Sequence, residues 1–400
     1  MTREDLAAWL RLQLAPGVGL LGARKLLAAF GLPQDIFSQS PVALTQVIGQ
    51  RLSQALLAAP APEHEALLDA TWHWLQAEQA SGLIRHVCSL ADSNYPRSLL
   101  TLADPPLLLY VTGAGIVFED IATKSIANDI AIVGSRNATP QGLQNARSFA
   151  KSFAQAGAHI VSGLALGIDG AAHEGALDAQ LEMGSDAGST IAIVGTGLDR
   201  VYPKRHHDLA HAIVQRGLIM SEFPIGTPPL SENFPRRNRL IAALTQGTLV
   251  VEAAIQSGSL ITARQALDLG KEVFAIPGSI HNPQSKGCHH LIKQGAKLVE
   301  SAQDVLEELP LRLIATGNTI NSIALHADSM PGSGQKDLDN APPDESALLQ
   351  ALGHDPVSLD ALIARTGISA AMLQAQLLEL ELAGEVARLP GGLFQRIAQA

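Results

Sequence analysis

Short apolar runs alternate with longer amphipathic segments between residues 129 and 299, and this alternation constrains the fold more than any other feature. The segments between the runs carry apolar residues at helical spacing, as in residues 142–156. Strands that alternate with helices require crossover connections and therefore pair in parallel. The sequence thus predicts an α/β domain with a Rossmann-like, doubly wound, mostly parallel sheet. Its strands are expected at residues 130–133, 159–161, 190–194, 218–220, 248–251, 273–276 and 297–299.

The N-terminal residues have a helical pattern that is interrupted by a short Ala-Pro-Gly-Val-Gly segment at residues 15–19. Two helices joined by such a turn predict a small all-α domain over residues 1–80, of the SAM or helix-hairpin-helix type. In DNA-backbone binders the glycine amides of this turn face a phosphate, whereas in a small helical domain the same residues simply form a tight turn. Both interpretations remain open. A short strand at 107–111 is expected to lead into the main domain, residues 81–310.

The C-terminal part of the chain changes in composition. Residues 311–343 are rich in Gly, Ser, Asn, Asp and Pro, which predicts a linker. Amphipathic segments at 345–352, 359–365 and 370–382, followed by an alternating segment at 385–396, predict a winged-helix domain over residues 344–400. Its predicted recognition helix carries Glu379 and Glu381 but no lysine or arginine. Because readers of the major groove use cations, a protein contact or a structural role is favoured for this helix.

The overall charge limits how nucleic acid could bind. The formal net charge is −10, which excludes a surface that coats nucleic acid generally, so any polyanion site must be a local basic pocket. The two cysteines, Cys88 and Cys288, are too few for a disulfide framework and fit a reducing compartment. The N-terminus lacks an apolar signal core, and no run approaches membrane-spanning length. These features predict a cytoplasmic protein without a membrane partner.

Small polar and basic residues follow the predicted strands. Parallel α/β sheets bind ligands beside the carboxyl ends of their strands, where glycine permits close approach and arginine offers a forked donor. The segment from Phe234 to Ala263 contains an arginine-rich helix start, a strand and a Ser-Gly-Ser helix start. Helix N-termini favour anions. The sequence therefore predicts a polyanion site at this edge, built from the motifs Gly134-Ser135-Arg136, Ser162-Gly163, Lys204, Phe234, Arg236-Arg237-Asn238-Arg239 and Ser257-Gly258-Ser259.

Several other site types are disfavoured by the sequence. No G-x-G-x-x-G follows a strand, since Gly195-Thr196-Gly197 lacks the third glycine, and neither a P-loop nor a G-x-S-x-G elbow occurs. His207 and His211 lie four residues apart and Cys288 precedes two histidines, but neither group completes a zinc site. No metal and no cofactor are therefore predicted. Glu252 or Asp169 would be a catalytic acid without a partner carboxylate, and Asp169 is expected to be an N-cap.

Seven motifs in order carry a family resemblance. They are GSR at Gly134, SGLALGID at Ser162, GTGLDRVYP at Gly195, SEFP at Ser221, FPRRNRLIA at Phe234, EAAIQSGSLITA at Glu252 and FAIPGS with GCHHLIKQGAKLV near the end. Together they closely resemble the DNA-processing protein A (DprA/Smf) family. The resemblance spans residues 95–309, and a helical N-terminal domain and a winged helix are also typical of full-length members.

The resemblance implies a non-enzymatic protein that binds single-stranded DNA. Family members protect incoming strands during natural transformation, help to load the recombinase RecA, and form homodimers through the second half of the Rossmann-like domain. The resemblance places Arg136, Lys204, Arg236, Arg237 and Arg239 at phosphates, with Ser162, Gly163, Ser257, Gly258 and Ser259 as additional donors. Leu166 stands where relatives often have a basic residue, which removes one possible phosphate contact.

Physical chemistry agrees with this implied function. A few cations that contact phosphates give salt-sensitive binding without sequence preference. Phe234 or Tyr202 can stack on bases, although core packing is an equally open interpretation of Phe234. The arginine run predicts that Arg237→Glu weakens strand binding and leaves folding intact.

Two other functions remain as alternatives. Nucleotide-processing hydrolases of the lysine-decarboxylase-like (LOG) group share a similar sheet, but the acid of their P-G-G-x-G-T-x-x-E signature is missing from the turn at 275–279. A scaffold that binds a protein through its tail is the third interpretation.

Overall fold

A computed structural model describes residues 1–123, 129–309, 345–352 and 356–397. The chain forms two compact units, one with the N-terminal helices and a large sheet and one with the C-terminal helices and a small sheet. The predicted linker at 311–343 lies outside the described residues, so both it and the predicted domain boundaries remain predictions.

Six helices form the N-terminal part of the first unit, and the predicted all-α character of this part is confirmed. A capping box between Thr2 and Asp5 starts the first helix, and Gly17, with a φ of 76°, allows the chain to turn before the second. The helices pack around Trp9 and share a core with Tyr110 of the large sheet. They are α1 Arg3–Leu14, α2 Gly19–Phe30, α3 Pro33–Phe37, α4 Pro41–Ile48, α5 Gln50–Leu57 and α6 Pro62–Gln76.

The large sheet has nine strands among the described residues. They are β1 Leu83–Ser89, β2 Leu108–Ala114, β3 Asp129–Val133, β4 His159–Ser162, β5 Thr190–Ile193, β6 Leu218–Ser221, β7 Gly247–Val250, β8 Glu272–Ala275 and β9 Lys297–Leu298. Their spatial order is β1-β2-β6-β5-β4-β3-β7-β8-β9. The strands β3 to β9 pair in parallel, and β1 and β2 join them in antiparallel fashion. The predicted mostly parallel sheet is confirmed. The sequence analysis missed β1, and β2 is part of the main sheet rather than only a connection to it.

Helices cover both faces of the sheet. In β3, Ile130 and Ile132 enter one core whereas Ala131 and Val133 enter the other, as expected for a strand between two helical layers. The chain adds strands on one side of β3 up to β6 and then on the other side from β7 to β9. The carboxyl ends of β3 and β7 therefore meet at the point where strand order reverses. The helices are α7 Gly115–Thr123, α8 Pro140–Gln155, α9 Ile168–Met183, α10 His207–Arg216, α11 Asn233–Leu244, α12 Ser259–Asp268, α13 Lys286–Lys293 and α14 Ala302–Glu308.

The second unit is a winged helix, which confirms the prediction for the C-terminal residues. Its helices surround a core that contains Leu362, Leu377 and Phe394. Its elements are α15 Glu345–Leu352, β10 Val357–Ser358, α16 Leu359–Thr366, α17 Ala370–Leu382, β11 Val386–Leu389 and β12 Leu393–Arg396, with the strands in the order β10-β12-β11.

Among the described residues, one pair of these helices bears on whether the chain could cross a membrane. No single helix in the described part of the chain has the length and apolar character needed to cross a membrane. Taken together, α16 and α17 pass that test by length and composition alone, with a bend of 108° between them. Leu362 of α16 and Leu373 and Leu377 of α17 are buried in the winged-helix core.

Candidate nucleic-acid interface

A pocket of about 640 Å³ opens where the carboxyl ends of β3 and β7 meet. This is the position where open α/β sheets bind their ligands. The loop after β3, the start of α11 and the loop between β7 and α12 form its walls. Nine of the predicted site residues line it, namely Gly134, Ser135, Arg136, Phe234, Arg237, Asn238, Ser257, Gly258 and Ser259.

Two glycines allow the loops around the pocket to approach each other. A β-carbon on Gly134 would come within 2.8 Å of the Glu252 carbonyl oxygen, and one on Gly167 within 2.2 Å of the Ser135 carbonyl oxygen. Hydrogen bonds connect the loops at these points of close approach. The Ser135 amide donates to the Glu252 carbonyl over 2.7 Å. The Ile168 amide donates to the Ser135 carbonyl over 3.2 Å. The backbone of three loops is thereby fixed around one concavity.

Arg136 offers an exposed cation beside two aromatic rings. Its guanidinium carbon lies 5.5 Å from the centroid of the Phe234 ring. The Phe234 and Tyr202 rings are 5.6 Å apart and tilted by 36°. Phe234 also packs against Gly195, where an added β-carbon would lie 3.1 Å from the ring. This arrangement places a guanidinium next to two planar aromatic rings, and Phe234 both lines the pocket and packs against the protein.

The Ser-Gly-Ser turn supplies the opposite wall. The hydroxyls of Ser257 and Ser259 lie 2.7 Å apart, and α12 begins at Ser259 after a glycine N-cap. The N-terminal end of α12 carries the positive end of the helix dipole, which favours anions. Asn238 donates from its side-chain amide to the Gly258 carbonyl over 3.4 Å and so joins this turn to α11.

Arg237 lies in the wall of the pocket, but its side chain is committed to the protein. It is 3% exposed, and its Nη1 donates to the carbonyls of Ile193 and of Gly163, the latter over 2.7 Å. Burial lowers the pKa of Arg237 to about 10, although the charge of Asp169 opposes this shift. A carboxylate placed here would face carbonyl oxygens in a buried site. The structure thus gives a physical reason to expect that Arg237→Glu destabilises the fold as well as weakening strand binding, and the effect on folding stays a prediction.

Asp169 helps to shape the same wall. Its Oδ2 accepts hydrogen bonds from the amides of Gly163 over 3.1 Å and Ala165 over 3.4 Å. Burial raises the pKa of Asp169, and the charge of Arg237 and these amide bonds act in the other direction. The N-cap of α9 is Gly167, so the prediction of Asp169 as the N-cap is wrong. Its carboxylate instead holds the preceding loop.

The other two arginines of the run turn away from the pocket toward Glu222. Arg239 is 7% exposed and donates to Glu222 Oε2 over 2.5 Å. Arg236 lies 3.4 Å from the same oxygen, and its guanidinium carbon is 5.5 Å from the centroid of the Phe223 ring. Burial raises the pKa of Glu222, against the charges of Arg239 and Arg236. The arginine run therefore divides between two sides of α11.

Three further predicted residues lie outside the pocket lining. Ser162 is fully buried and donates from its hydroxyl to the Ile132 carbonyl over 2.6 Å. Gly163 uses its amide for Asp169 and its carbonyl for Arg237. Lys204 is exposed in a short turn after Tyr202. The first two hold the strand end, and only Lys204 of the three has a side chain open to solvent.

The structure also adds polar residues that the sequence analysis did not select, among them Asn137, Gln256, Thr262 and Gln284. Asn137 directly follows the Gly-Ser-Arg motif and Gln256 directly precedes the Ser-Gly-Ser turn, so extending each motif by one residue would have found them. Gln284 comes from the loop after β8, where its carbonyl accepts from the Ala253 amide over 2.7 Å. The position of Gln284 depends on this hydrogen bond between residues far apart in sequence, so no local sequence pattern could have identified it.

Comparisons with known proteins agree with this architecture. Residues 86–310 match the family model described as DNA recombination-mediator protein A, and residues 335–392 match the DprA winged helix domain. The chain belongs to the DNA recombination-mediator protein A family. The family resemblance stated from the motifs is thereby confirmed.

Individual relatives show the same similarity. Protein Smf from Escherichia coli is 42% identical over 78% of this chain and 77% of its own length. The DNA processing protein DprA from Streptococcus pneumoniae is 44% identical over 55% of this chain and 73% of its own. The X-ray structure of DNA processing protein A from Streptococcus pneumoniae superimposes with a TM-score of 0.61 and 35% identity. It covers 77% of this chain and 98% of the solved one.

Proposed function

We propose that this protein binds single-stranded DNA in the pocket between β3 and β7 and acts in DNA uptake and recombination. The observation that carries the proposal is the group formed by Arg136, Phe234 and Tyr202, which faces the start of α12. A cation and a helix N-terminus suit the phosphates of a strand, and neighbouring aromatic rings suit its bases. Membership of a family named for DNA recombination supports the same function.

The geometry favours single strands over duplexes. Bases in a duplex are stacked on each other, so their faces are not available to Tyr202 and Phe234, whereas single strands can turn bases toward aromatic side chains. The basic group is small and local in a chain with a net charge of −10. Binding therefore depends on few phosphate contacts and on stacking within the pocket.

The predicted site residues take different roles in this proposal. Arg136 and the Ser257-Gly258-Ser259 turn contact phosphates, with the backbone of Gly134 and Ser135 fixing the loop. Lys204 contacts the strand outside the pocket, next to Tyr202. The other predicted residues, Ser162, Gly163, Arg236, Arg237, Asn238 and Arg239, shape and hold the surrounding elements.

Binding rather than catalysis is the proposed role of this pocket. Asp169 is the one carboxylate among the described residues that line it, and its Oδ2 is engaged by two backbone amides. General acid–base chemistry needs a carboxyl that can reach the reacting atoms. A protein that protects strands and passes them to RecA in the cytoplasm needs no such group.

Exposed apolar side chains in the second half of the Rossmann-like domain support a homodimer. An interface between two copies would bury apolar side chains that are exposed in one copy. The exposed residues here are Ile255, Ile261, Leu267, Ile280 and Leu298. We further propose residues 81–310 as the DNA-binding domain and the winged helix as a site of protein contact, since α17 carries Glu379 and Glu381 without a cation.

Fluorescence anisotropy with a labelled oligo(dT), measured at several salt concentrations against a duplex of equal length, tests the proposal. We expect tighter binding of the single strand, with affinity that falls as salt rises because counterions are released from phosphates. Arg136→Ala should weaken binding by roughly 10- to 100-fold, the loss of one charge-assisted contact, and reduce the salt slope by about one.

Arg216→Ala is the matched control, since it removes one exposed positive charge from the end of α10, outside the pocket lining. Its affinity should stay close to that of the unmodified protein. Equal losses in both variants would show that only net charge matters, and an absence of strand binding at low salt would refute the proposal.

A further inference from the structure

A second pocket of about 370 Å³ lies beside the first. It is enclosed by the end of α6 and the turn that follows it, by β1 and β2, and by α10 with the loop that precedes it. All of these elements belong to the unit that contains the large sheet. None of the functions assigned above uses this pocket.

Tyr202 lines both pockets. Its ring contacts Phe234 in the first pocket, 5.6 Å between centroids, and it is 45% exposed. Leu164, from the loop that Asp169 holds, forms part of the second pocket as well. A strand that stacks on Tyr202 therefore passes directly beside the second pocket.

The walls of the second pocket are apolar and buried. Leu164, Val194 and Ile219 are 1%, 6% and 6% exposed, and Trp74 is 8% exposed. Trp74 is held in place, since it packs edge-on against Tyr110 and carries the Arg85 guanidinium over its ring. Ligand sites are typically apolar concavities of about 300–1,000 Å³ with a few polar groups at their edges. This pocket meets both criteria.

Its rim has polar groups, with two arginines and one acid among the described lining residues. Arg85, Arg200 and His211 lie there with Gln215, and Glu78 is the acid among the described lining residues. Arg200 also pairs with Asp199 over 2.6 Å. Arg85 donates from Nη1 to the Trp74 carbonyl over 3.2 Å, and His211 Nε2 lies 3.3 Å from His207 Nε2. The N–H groups of the two arginines that these contacts leave over, together with the amide of Gln215, supply donors and acceptors for the edge of a heterocycle and for an attached phosphate.

We propose that the second pocket binds a nucleobase. The base comes from the strand held in the first pocket, a source that rests on the proposed function, or from a free nucleotide. An apolar wall with two aromatic side chains, a rim of hydrogen-bonding groups and continuity with the strand site through Tyr202 together select a planar heterocycle that carries a phosphate. A strand would thus place one base on each side of Tyr202.

The test combines two probes with the full-length protein. One probe is dAMP, read by quenching of tryptophan fluorescence, with Trp74→Phe to assign the signal to Trp74. The other is a set of oligo(dT) strands with a single 2-aminopurine at successive positions, read by 2-aminopurine emission. We expect saturable quenching by dAMP and a distinct emission change at one position of the strand.

Val214→Phe fills the second pocket from α10, and Ala212→Phe on the exposed side of the same helix is its matched control. Val214→Phe should abolish both signals and lower strand affinity by roughly 5- to 10-fold, at the lower end of the effect of one stacked base. Ala212→Phe should change neither signal. Gln215→Phe blocks the mouth from an exposed position and gives an independent result if Val214→Phe does not fold.

The outcomes separate this inference from the proposed function. One possible outcome is that the protein binds the strand but dAMP does not quench its fluorescence, and that Val214→Phe and Gln215→Phe leave the 2-aminopurine signals unchanged. This outcome would overturn the base pocket and leave the strand site standing. The opposite result is quenching by dAMP, including in Arg136→Ala, when neither the unmodified protein nor any variant binds a strand. It would overturn the strand site and leave the base pocket standing. Quenching by dAMP without a position-specific signal in a bound strand would identify free nucleotide as the source.

Discussion

Two segments at the same edge of the sheet supply arginines, and the fold uses them in opposite ways. The loop after β3 presents Arg136 to solvent over the Phe234 ring. In α11, Arg237 and Arg239 are 3% and 7% exposed and donate to acceptors of the protein itself. Arg136 is therefore available to a ligand in a way that Arg237 and Arg239 are not, because the fold places acceptors of its own within reach of those two.

The buried arginines have a structural consequence for the pocket. Arg237 joins the ends of β4 and β5 to α11 through the carbonyls of Gly163 and Ile193. Removing a guanidinium from water is costly, and the two carbonyls together with the nearby charge of Asp169 offset that cost. These contacts hold the loop that follows β4, whereas Arg136 is exposed at the neighbouring strand end.

The largest effect expected from this contrast is on stability. Arg237→Met should lower the free energy of unfolding by about 3–5 kcal/mol, because it leaves the buried Asp169 without its nearby positive charge and two carbonyls without a donor. Urea denaturation followed by circular dichroism measures this loss.

Arg136→Ala serves as the control, and its free energy of unfolding should stay within about 0.5 kcal/mol of that of the unmodified protein, as for other surface substitutions. If Arg136→Ala destabilised the protein as much as Arg237→Met, the distinction between a ligand-facing and a structural arginine would fail.

A smaller effect on stability is expected from a change of pH, because burial, together with the positive charge of Arg237, lowers the pKa of His173. His173 is fully buried, and its Nδ1 lies 2.6 Å from the Thr190 hydroxyl oxygen. Burial lowers the pKa of His173 to about 3, and the charges of His206 and Arg237 add to the shift. The unfolded chain takes up a proton below its ordinary pKa near 6.5, whereas the folded protein does not until about 3.

His173 therefore contributes full stability above pH 6.5, and this contribution is lost as the pH falls toward 3. By pH 5 the loss should reach about 2 kcal/mol, since one pKa unit corresponds to about 1.4 kcal/mol. Urea denaturation at pH 7 and pH 5 should show a smaller loss for His173→Gln than for the unmodified protein. Equal losses in the two proteins would contradict a neutral His173 in the folded state.

The parallel strands could be predicted because each is a local pattern. Residues 130–133 were predicted as a strand and β3 spans Asp129–Val133, since a short β-branched run between turn residues suits a strand buried on both faces. By contrast, β1 was missed. Its sequence, LIRHVCS, is half-buried over its first four residues, and it forms a strand by antiparallel pairing with the non-local β2.

The position of the site could be predicted, but not the role of each arginine. Strand ends in a parallel sheet share one edge, so the motifs at Gly134 and Ser257 had to lie near each other. Whether Arg237 faces the pocket or the protein depends on carbonyls that are 74 and 44 residues away in sequence. No local pattern contains that information.

The smallest effect is expected for Arg236. It belongs to the arginine run of α11 by sequence, but it is neither buried like Arg237 nor part of the pocket lining like Arg136. Its side chain is 48% exposed, it stacks on Phe223, and it shares Glu222 with Arg239. Half-exposed ion pairs contribute about 0–1 kcal/mol, and Glu222 keeps Arg239 as its partner. Arg236→Ala should therefore change the free energy of unfolding by less than about 1 kcal/mol. It should change strand affinity by less than about threefold, because Arg236 does not line the pocket and exposed charges are screened at physiological salt. Anisotropy titrations beside Arg136→Ala measure the second quantity. A tenfold loss in Arg236→Ala would mean that the strand continues across the Glu222 side of α11, and the contrast between the two segments would then hold for Arg237 and Arg239 only.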